Sequence, residues 1–217
     1  MKINPEFLPL VEWWEKDGKQ IVTCLLAVAV VAGGWYGWKN HKAATRVAAS
    51  NALVNAYTTE ELEDSVAKFS GTAAGGALKL RLAKSYFDAG RYEEALSQYE
   101  ALSGNAPEGF ADIPPVGKAQ CLEALGKYDE ALKAFDAFAE ANPASFLKLT
   151  AQLGAARSIA QSGDKAKALA RLDALKAANK DDALAKARIE ATELAVKRYE
   201  KKVAKAAPAK EAPAAAK

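Results

Sequence analysis

One histidine, two cysteines and eight prolines among 217 residues leave little material for several common chemistries. The histidine, His41, has no Cys or carboxylate cluster at ligand spacing around it, so it builds no metal site and reads as a solvated side chain. The two thiols give no disulfide framework, because Cys24 lies inside the chain's apolar run and Cys121 lies far outside it. Cys24 is also misplaced for a lipoprotein-type lipidation site, where the apolar stretch would precede the cysteine. There is no Gly-rich phosphate loop after a strand pattern, no nucleophile elbow and no C-x-x-C. A basic stripe is missing too. The net charge is +3, and residues 39–196 carry 20 basic against 21 acidic side chains, while the basic surplus begins at Lys197. A nucleic-acid binder would carry such a stripe on its folded part, so nucleic acid is not an expected partner. The acid pairs Glu93/Glu94 and Asp129/Glu130 stand where helices begin, and the helix dipole accounts for them. Neither an enzyme nor a cofactor is expected.

What the chain does have is one long uncharged run, residues 20–38, QIVTCLLAVAVVAGGWYGW. As a helix it spans roughly 28 Å, close to the ~30 Å hydrocarbon core of a bilayer. A cleaved secretory signal would have a short basic leader, a shorter apolar core and a small-residue exit. Here the leader carries four acids, and the run ends in Trp35, Tyr36, Gly37 and Trp38, an aromatic exit of the kind found at membrane interfaces. A retained transmembrane helix is the better reading. Its orientation is close to a tie by charge, with Lys2, Lys16 and Lys19 on one side and Lys39, Lys42 and Arg46 on the other. The short leader and the lone span favour a cytoplasmic N-terminus. Ala29, Gly33 and Gly37 recur every fourth residue and form a small-residue face suited to docking against another membrane helix. Residues 5–17 make a short amphipathic segment with Phe7, Leu10, Val11, Trp13 and Trp14, expected at the membrane surface.

Alanine-rich, aromatic-poor sequence follows and predicts helices throughout. Residues 41–57 continue the first helix, and Thr59 before Glu60 and Glu61 reads as the N-cap of a second that ends near Gly71. Then the chain repeats itself. Ala83, Ala119 and Ala156 are each followed seven residues later by a turn glycine: Gly90, Gly126 and Gly163. Five residues on come Ala95, Ala131 and Ala168, then Leu96, Leu132 and Leu169. Large apolar residues follow at Tyr99, Phe135 and Leu172, and at Leu102, Phe138 and Leu175. Pro107 and Pro143 close the first two units, while the third has Lys165 and Lys180 where an aromatic and a proline would stand. Small residues let paired helices approach, the glycine reverses the chain, and the proline stops the second helix.

The pattern resembles the tetratricopeptide repeat, most specifically in the strings GRYEEAL and GKYDEAL. With the transmembrane helix read from the apolar run, the resemblance implies an all-α chain in which that N-terminal helix is followed by an α-solenoid of helical hairpins, with a last helix over about residues 181–203 covering the open end. It also implies a concave groove lined by the first helix of each unit. By repeat register that groove presents Leu80, Lys84 and Phe87, then Val116, Gln120 and Glu123, then Leu153, Arg157 and Gln161. The Lys/Asn set with which some members of the family clamp a C-terminal carboxylate is not reproduced. A loose grip on apolar, extended or partly folded polypeptide fits better.

The whole layout is similar to the bacterial ancillary SecYEG translocon subunit family, with Gly18-Lys19 before the span and Gly34-Trp35-Tyr36-Gly37-Trp38 at its exit. That resemblance implies a single-pass inner-membrane protein with a periplasmic repeat domain. Its implied partners are translocon subunits, exported polypeptides and periplasmic chaperones. The expected organisation is a cytoplasmic leader over 1–19, the span over 20–38 and a helical connector over 39–74. A repeat domain with its cap over 75–205 and a disordered Ala/Pro/Lys tail over 206–217 follow. A scaffold for another envelope complex, such as a pilus or the division machinery, and a soluble repeat protein released by signal cleavage remain open alternatives.

Overall fold

The computed structural model describes residues 13–206, and the chain divides into two compact units, one ending at Val54 and one starting at Asn55. Most of the proposed leader, including Phe7, Leu10 and Val11, and the tail from 207 onward lie outside the described residues. Every regular element among the described residues is helical.

The first unit is a π-helical turn, Trp14–Gly18, running into one long helix, α1, Lys19–Asn55. A Cβ at Gly18 would sit 2.8 Å from the Trp14 ring, so the turn admits no side chain there. The 37 residues of α1 make a rod of roughly 56 Å, well beyond a bilayer's hydrocarbon thickness. Its most apolar 18-residue window has a mean hydropathy of 1.8 and is exposed among the described residues, and α1 is long and apolar enough to cross a membrane. Leu25, Leu26, Val28, Val30 and Val31 all face outward. Trp13 and Trp14 stand at one end of that stretch and Trp35, Tyr36 and Trp38 at the other, with Lys42 Nζ 3.9 Å from the Trp38 ring. Amphipathic rings at both ends and bare aliphatics between them suit a helix bathed in lipid.

The second unit begins with α2, Thr59–Phe69. Its N-cap is Thr58, one residue before the position expected from sequence. The Thr58 hydroxyl accepts from the Glu61 amide, and the Glu61 carboxylate accepts from the Tyr57 and Thr58 amides at 2.8 and 3.1 Å. A capping box needs its acid at the third helical position, and only Thr58 has one there. The backbone N–H groups of Tyr57 and Thr58 hold the Glu61 carboxyl below the usual range. Helix α2 packs on α3, Gly75–Asp88, through buried Leu62, a Tyr86–Glu63 hydrogen bond of 2.8 Å and a Thr59–Ser85 hydroxyl pair at 2.7 Å.

Three hairpins follow: α3 with α4 (Tyr92–Leu102), α5 (Ile113–Ala124) with α6 (Tyr128–Ala141), and α7 (Lys148–Gln161) with α8 (Lys165–Ala178). The turn is the same in each. Gly90, Gly126 and Gly163 have φ of 78°, 77° and 109°, a region that side chains with a Cβ rarely adopt. The next residue's amide then reaches back: Arg91 to the Tyr86 carbonyl, Lys127 to Leu122 and Asp164 to Ile159, at 2.9, 2.9 and 3.1 Å. This is the Schellman closure, which satisfies carbonyls that the helix end would leave unpaired. Between the paired helices lie the alanines that the repeat pattern singles out. Ala83, Ala95, Ala119, Ala131, Ala156 and Ala168 are all fully buried.

Each second helix packs on its own first helix and on the first helix of the next hairpin. The contact between hairpins is a ring set into a notch. A Cβ at Gly117 of α5 would lie 2.6 Å from the Tyr99 ring of α4, and one at Gly154 of α7 would lie 2.5 Å from the Phe135 ring of α6. These two glycines occupy the same repeat position, and the aromatic arrives from the preceding unit in both cases. The last helix, α9, Ala183–Ala206, packs on α7 and α8 through Ile189 and Val196, in the place of a fourth first helix.

Cys121 is fully buried in α5, and burial pushes its thiol up to about 11. At pH 8 on the order of one such thiol in a thousand is ionised. In a Cys24→Ser background a water-soluble maleimide is therefore expected to leave the folded chain unmodified and to add one label in urea, as read by mass spectrometry.

Candidate functional site

The first helices α3, α5 and α7 stand side by side, and a cleft of about 510 Å³ opens where their C-terminal ends meet. It is lined by Lys84, Phe87, Tyr99, Gln120, Glu123, Ala124, Arg157 and Gln161. Six of the residues expected from repeat register thus come together in one cavity. Leu80, Val116 and Leu153 do not join them. Val116 and Leu153 are 3% and 4% exposed and belong to the hydrophobic core, because this helix position turns into the seam between hairpins. Leu80 is half-buried away from the cleft.

The charged residues of the cleft are engaged with one another. Arg157 donates from Nε and Nη2 to the two oxygens of Glu123, both at 2.8 Å, and the Glu123 side chain is only 10% exposed. This fork joins α7 to α5 and so ties the second hairpin to the third. Lys84 donates to both oxygens of Asp88 one turn along α3, at the exposed rim. The sequence reading treats Lys84, Glu123 and Arg157 as recognition residues, whereas each already has its counter-charge.

The apolar wall is Phe87 and Tyr99. Phe87 is half-buried and meets Tyr92 edge to face, ring centroids 5.3 Å apart. Tyr99 comes from the second helix of the same hairpin, a source that repeat register for first helices does not consider. Burial first, with the Cys121 thiol and the Asp88 carboxylate adding to it, pushes its phenol up to about 12. It therefore acts as a neutral, ring-bearing wall at any working pH.

Helix α9 packs on α7 and shares a second cavity with the cleft residues Arg157 and Gln161. Tyr199 of α9 hydrogen-bonds the Tyr128 hydroxyl at the start of α6, and burial followed by that bond pushes the Tyr199 phenol up. Behind Tyr199 is a second, smaller cavity of about 80 Å³ between α7 and α9, lined by Arg157, Ala160, Gln161, Ala195, Val196 and Tyr199. Arg157 and Gln161 border both spaces. The Gln161 Oε1 atom is buried and meets no protein hydrogen-bond donor among the described residues.

On α1 the small-residue face is open. Among the described residues a Cβ at Gly33 or Gly37 would meet nothing within 4 Å, and Ala29 is exposed. Among the described residues no group of three or more His, Cys, Asp or Glu converges as a metal site would require.

The geometry is that of a groove with a ring wall and self-neutralised charges, and comparison with known proteins agrees with the architecture. The nearly identical TPR-like repeats of a kinesin light chain-type protein from Podosopora anserina share 16% identity with this chain. They superpose with a TM-score of 0.54 over 77% of this chain and 88% of that one. The type III secretion translocator chaperone SycD of Yersinia enterocolitica aligns at 20% identity over 58% of this chain and 93% of its own, with a TM-score of 0.46. At 16% identity the likeness to the Podosopora anserina repeats is one of fold. A search of curated proteins gives no match. The sequence profile of a tetratricopeptide repeat-like domain matches residues 11–150, more than half of the chain. The chain belongs to the tetratricopeptide repeat-like domain family.

Proposed function

We propose that this protein is a membrane-anchored, non-catalytic scaffold that holds extended segments of exported polypeptides beside the Sec translocon and passes them to periplasmic chaperones. The observation that carries the reading is the cleft: six side chains chosen from repeat register line one cavity with an apolar ring wall and no uncommitted carboxylate clamp. Protein binding is the general property of such repeats. A neutral groove suits sequence-tolerant contact with polypeptide better than recognition of one acidic terminus.

Attachment supports the same reading. The family match begins at residue 11, ahead of the apolar stretch, which favours a retained helix over a removable leader. A weak groove held at a membrane gains its occupancy from effective concentration, without needing high intrinsic affinity. In this reading the N-terminus is cytoplasmic, the repeat unit periplasmic, and Ala29, Gly33 and Gly37 form the docking face toward a partner's membrane helix.

Photocrosslinking in living cells tests it, with the reactive amino acid placed at Phe87, Gln120 and Ala29 in separate experiments. The groove positions are expected to capture exported chains and periplasmic chaperones, and Ala29 a channel subunit. Capture of pilus or septal proteins in their place sinks the translocon reading.

A further inference from the structure

Three large apolar side chains of the repeat unit stand in solvent at one recurring position. Phe110, Phe146 and Leu184 are 46%, 73% and 73% exposed among the described residues. Phe110 and Phe146 are spaced as Gly90 and Gly126 are, each on a loop that joins one hairpin to the next. Leu184, at the start of α9, follows Phe146 by 38 residues, the interval by which Arg188 of α9 bonds Thr150 of α7. The first two loops touch, since the Ser145 hydroxyl bonds the Asp112 carboxylate. Successive helices run in opposite directions, so all three side chains fall on one edge of the solenoid, across from the hairpin turns. The chain enters the unit at the turn edge, where Thr59 pairs with Ser85 and Glu63 with Arg91.

A single exposed apolar residue is ordinary, whereas a row of them in repeat register makes a surface. Its charge and spacing select the occupant. The loops at this edge, 103–112, 142–147 and 179–182, hold Glu108, Asp112, Asp181 and Asp182 against Lys180, with Lys148 just inside α7. An acidic edge on the side away from the chain's entry repels an anionic lipid surface and attracts a basic polypeptide. Helices α5, α7 and α9 pack side by side, about 10 Å apart. An α-helix brings the same face round every seventh residue, about 10 Å along its axis, while a strand does so at intervals of about 7 Å. We infer that the loop edge is a docking surface for a basic amphipathic helix of a protein partner. Apolar residues at every seventh position of that helix rest on Phe110, Phe146 and Leu184, and its lysines and arginines face Glu108, Asp181 and Asp182. This surface is separate from the cleft, and the inference does not depend on the groove reading.

The test uses the full chain in nanodiscs of zwitterionic lipid and a fluorescein-labelled helical peptide of alanine and lysine, with leucine at every seventh position. Fluorescence anisotropy is expected to show binding, and Phe110→Ser, Phe146→Ser and Leu184→Ser are each expected to weaken it about tenfold. The urea midpoints should stay near that of the wild type, because the three side chains are exposed. Should a serine variant fold poorly, alanine at the same position carries the comparison. A peptide of equal composition with leucine at every fifth position spreads its apolar residues around the helix and is expected to bind about tenfold more weakly. Replacing the peptide's lysines with glutamates should abolish binding. Gln120→Trp, which alters the cleft, should leave the affinity unchanged, so this inference and the groove reading fail separately. No binding by the wild type, serine variants that bind as it does, or equal binding of the glutamate peptide overturns the inference. Self-association of the chain that Phe146→Ser abolishes would assign the row to a second copy and overturn it as well.

Discussion

Phe135→Ala is expected to lower the unfolding free energy of the repeat unit by about 3–5 kcal/mol, the range for removing a large aromatic side chain from a packed interior. The ring is fully buried and seated against Gly154, so neither solvent nor a neighbouring side chain can fill the space it leaves. A domain of this size holds about 5–15 kcal/mol in all, and the loss would be a large part of it. The interface joins only neighbouring hairpins, yet stacked repeats draw cooperativity from such interfaces, so a broadened or split urea transition is expected too. The converse change, Gly154→Val, overpacks the same notch and should cost about 1–3 kcal/mol. Combining the two should cost less than their sum, because the added methyls occupy part of the vacated volume. Equilibrium urea unfolding of the full chain, followed by circular dichroism, measures all three. A Phe135→Ala loss under about 1 kcal/mol would mean the hairpins do not lock through this contact.

The second large effect is at the fork between α7 and α5. Arg157→Ala leaves the Glu123 carboxylate almost covered and without its guanidinium, a situation that costs about 3–5 kcal/mol where the ion is fully enclosed. Arg157 is itself about a third exposed, so the lower end of that range is expected. Replacing both residues with leucine should recover most of the loss, since the desolvation of both ions disappears along with their attraction. The pair of variants separates two roles. If Arg157 only ties the hairpins together, the double-leucine protein refolds and keeps its groove. If it also recognises ligand charge, polypeptide binding stays weak after stability returns.

The repeat frame was legible in the sequence because the turn dictates its own residues. A backbone reversal at positive φ selects Gly90, Gly126 and Gly163, and close helix approach selects the buried alanines. The notch glycines were not legible. Gly117 and Gly154 look like ordinary small residues until the ring opposite each one is known, and those rings come from the preceding unit. The same limit governs the site. Register fixes which face of a first helix turns toward the cleft, and Lys84, Phe87, Gln120, Glu123, Arg157 and Gln161 line it. It cannot fix depth, so Val116 and Leu153 on that face are taken up by the core. Nor can it see across helices. Tyr99 reaches the cleft from α4, and the fork that neutralises Arg157 depends on a residue 34 positions away.

The central claim is that this cleft is where polypeptide binds. The most direct measurement is the affinity of the full chain, in nanodiscs, for a permanently unfolded, fluorescently labelled polypeptide before and after the cleft is filled. Gln120→Trp adds a bulky ring to the half-buried wall of the cavity and leaves the residues of the Arg157–Glu123 fork and the notch glycines unchanged. Binding is expected to fall at least about tenfold while the urea midpoint stays near that of the wild type. Unchanged affinity in a folded Gln120→Trp protein would contradict the account and place the binding surface elsewhere on the molecule.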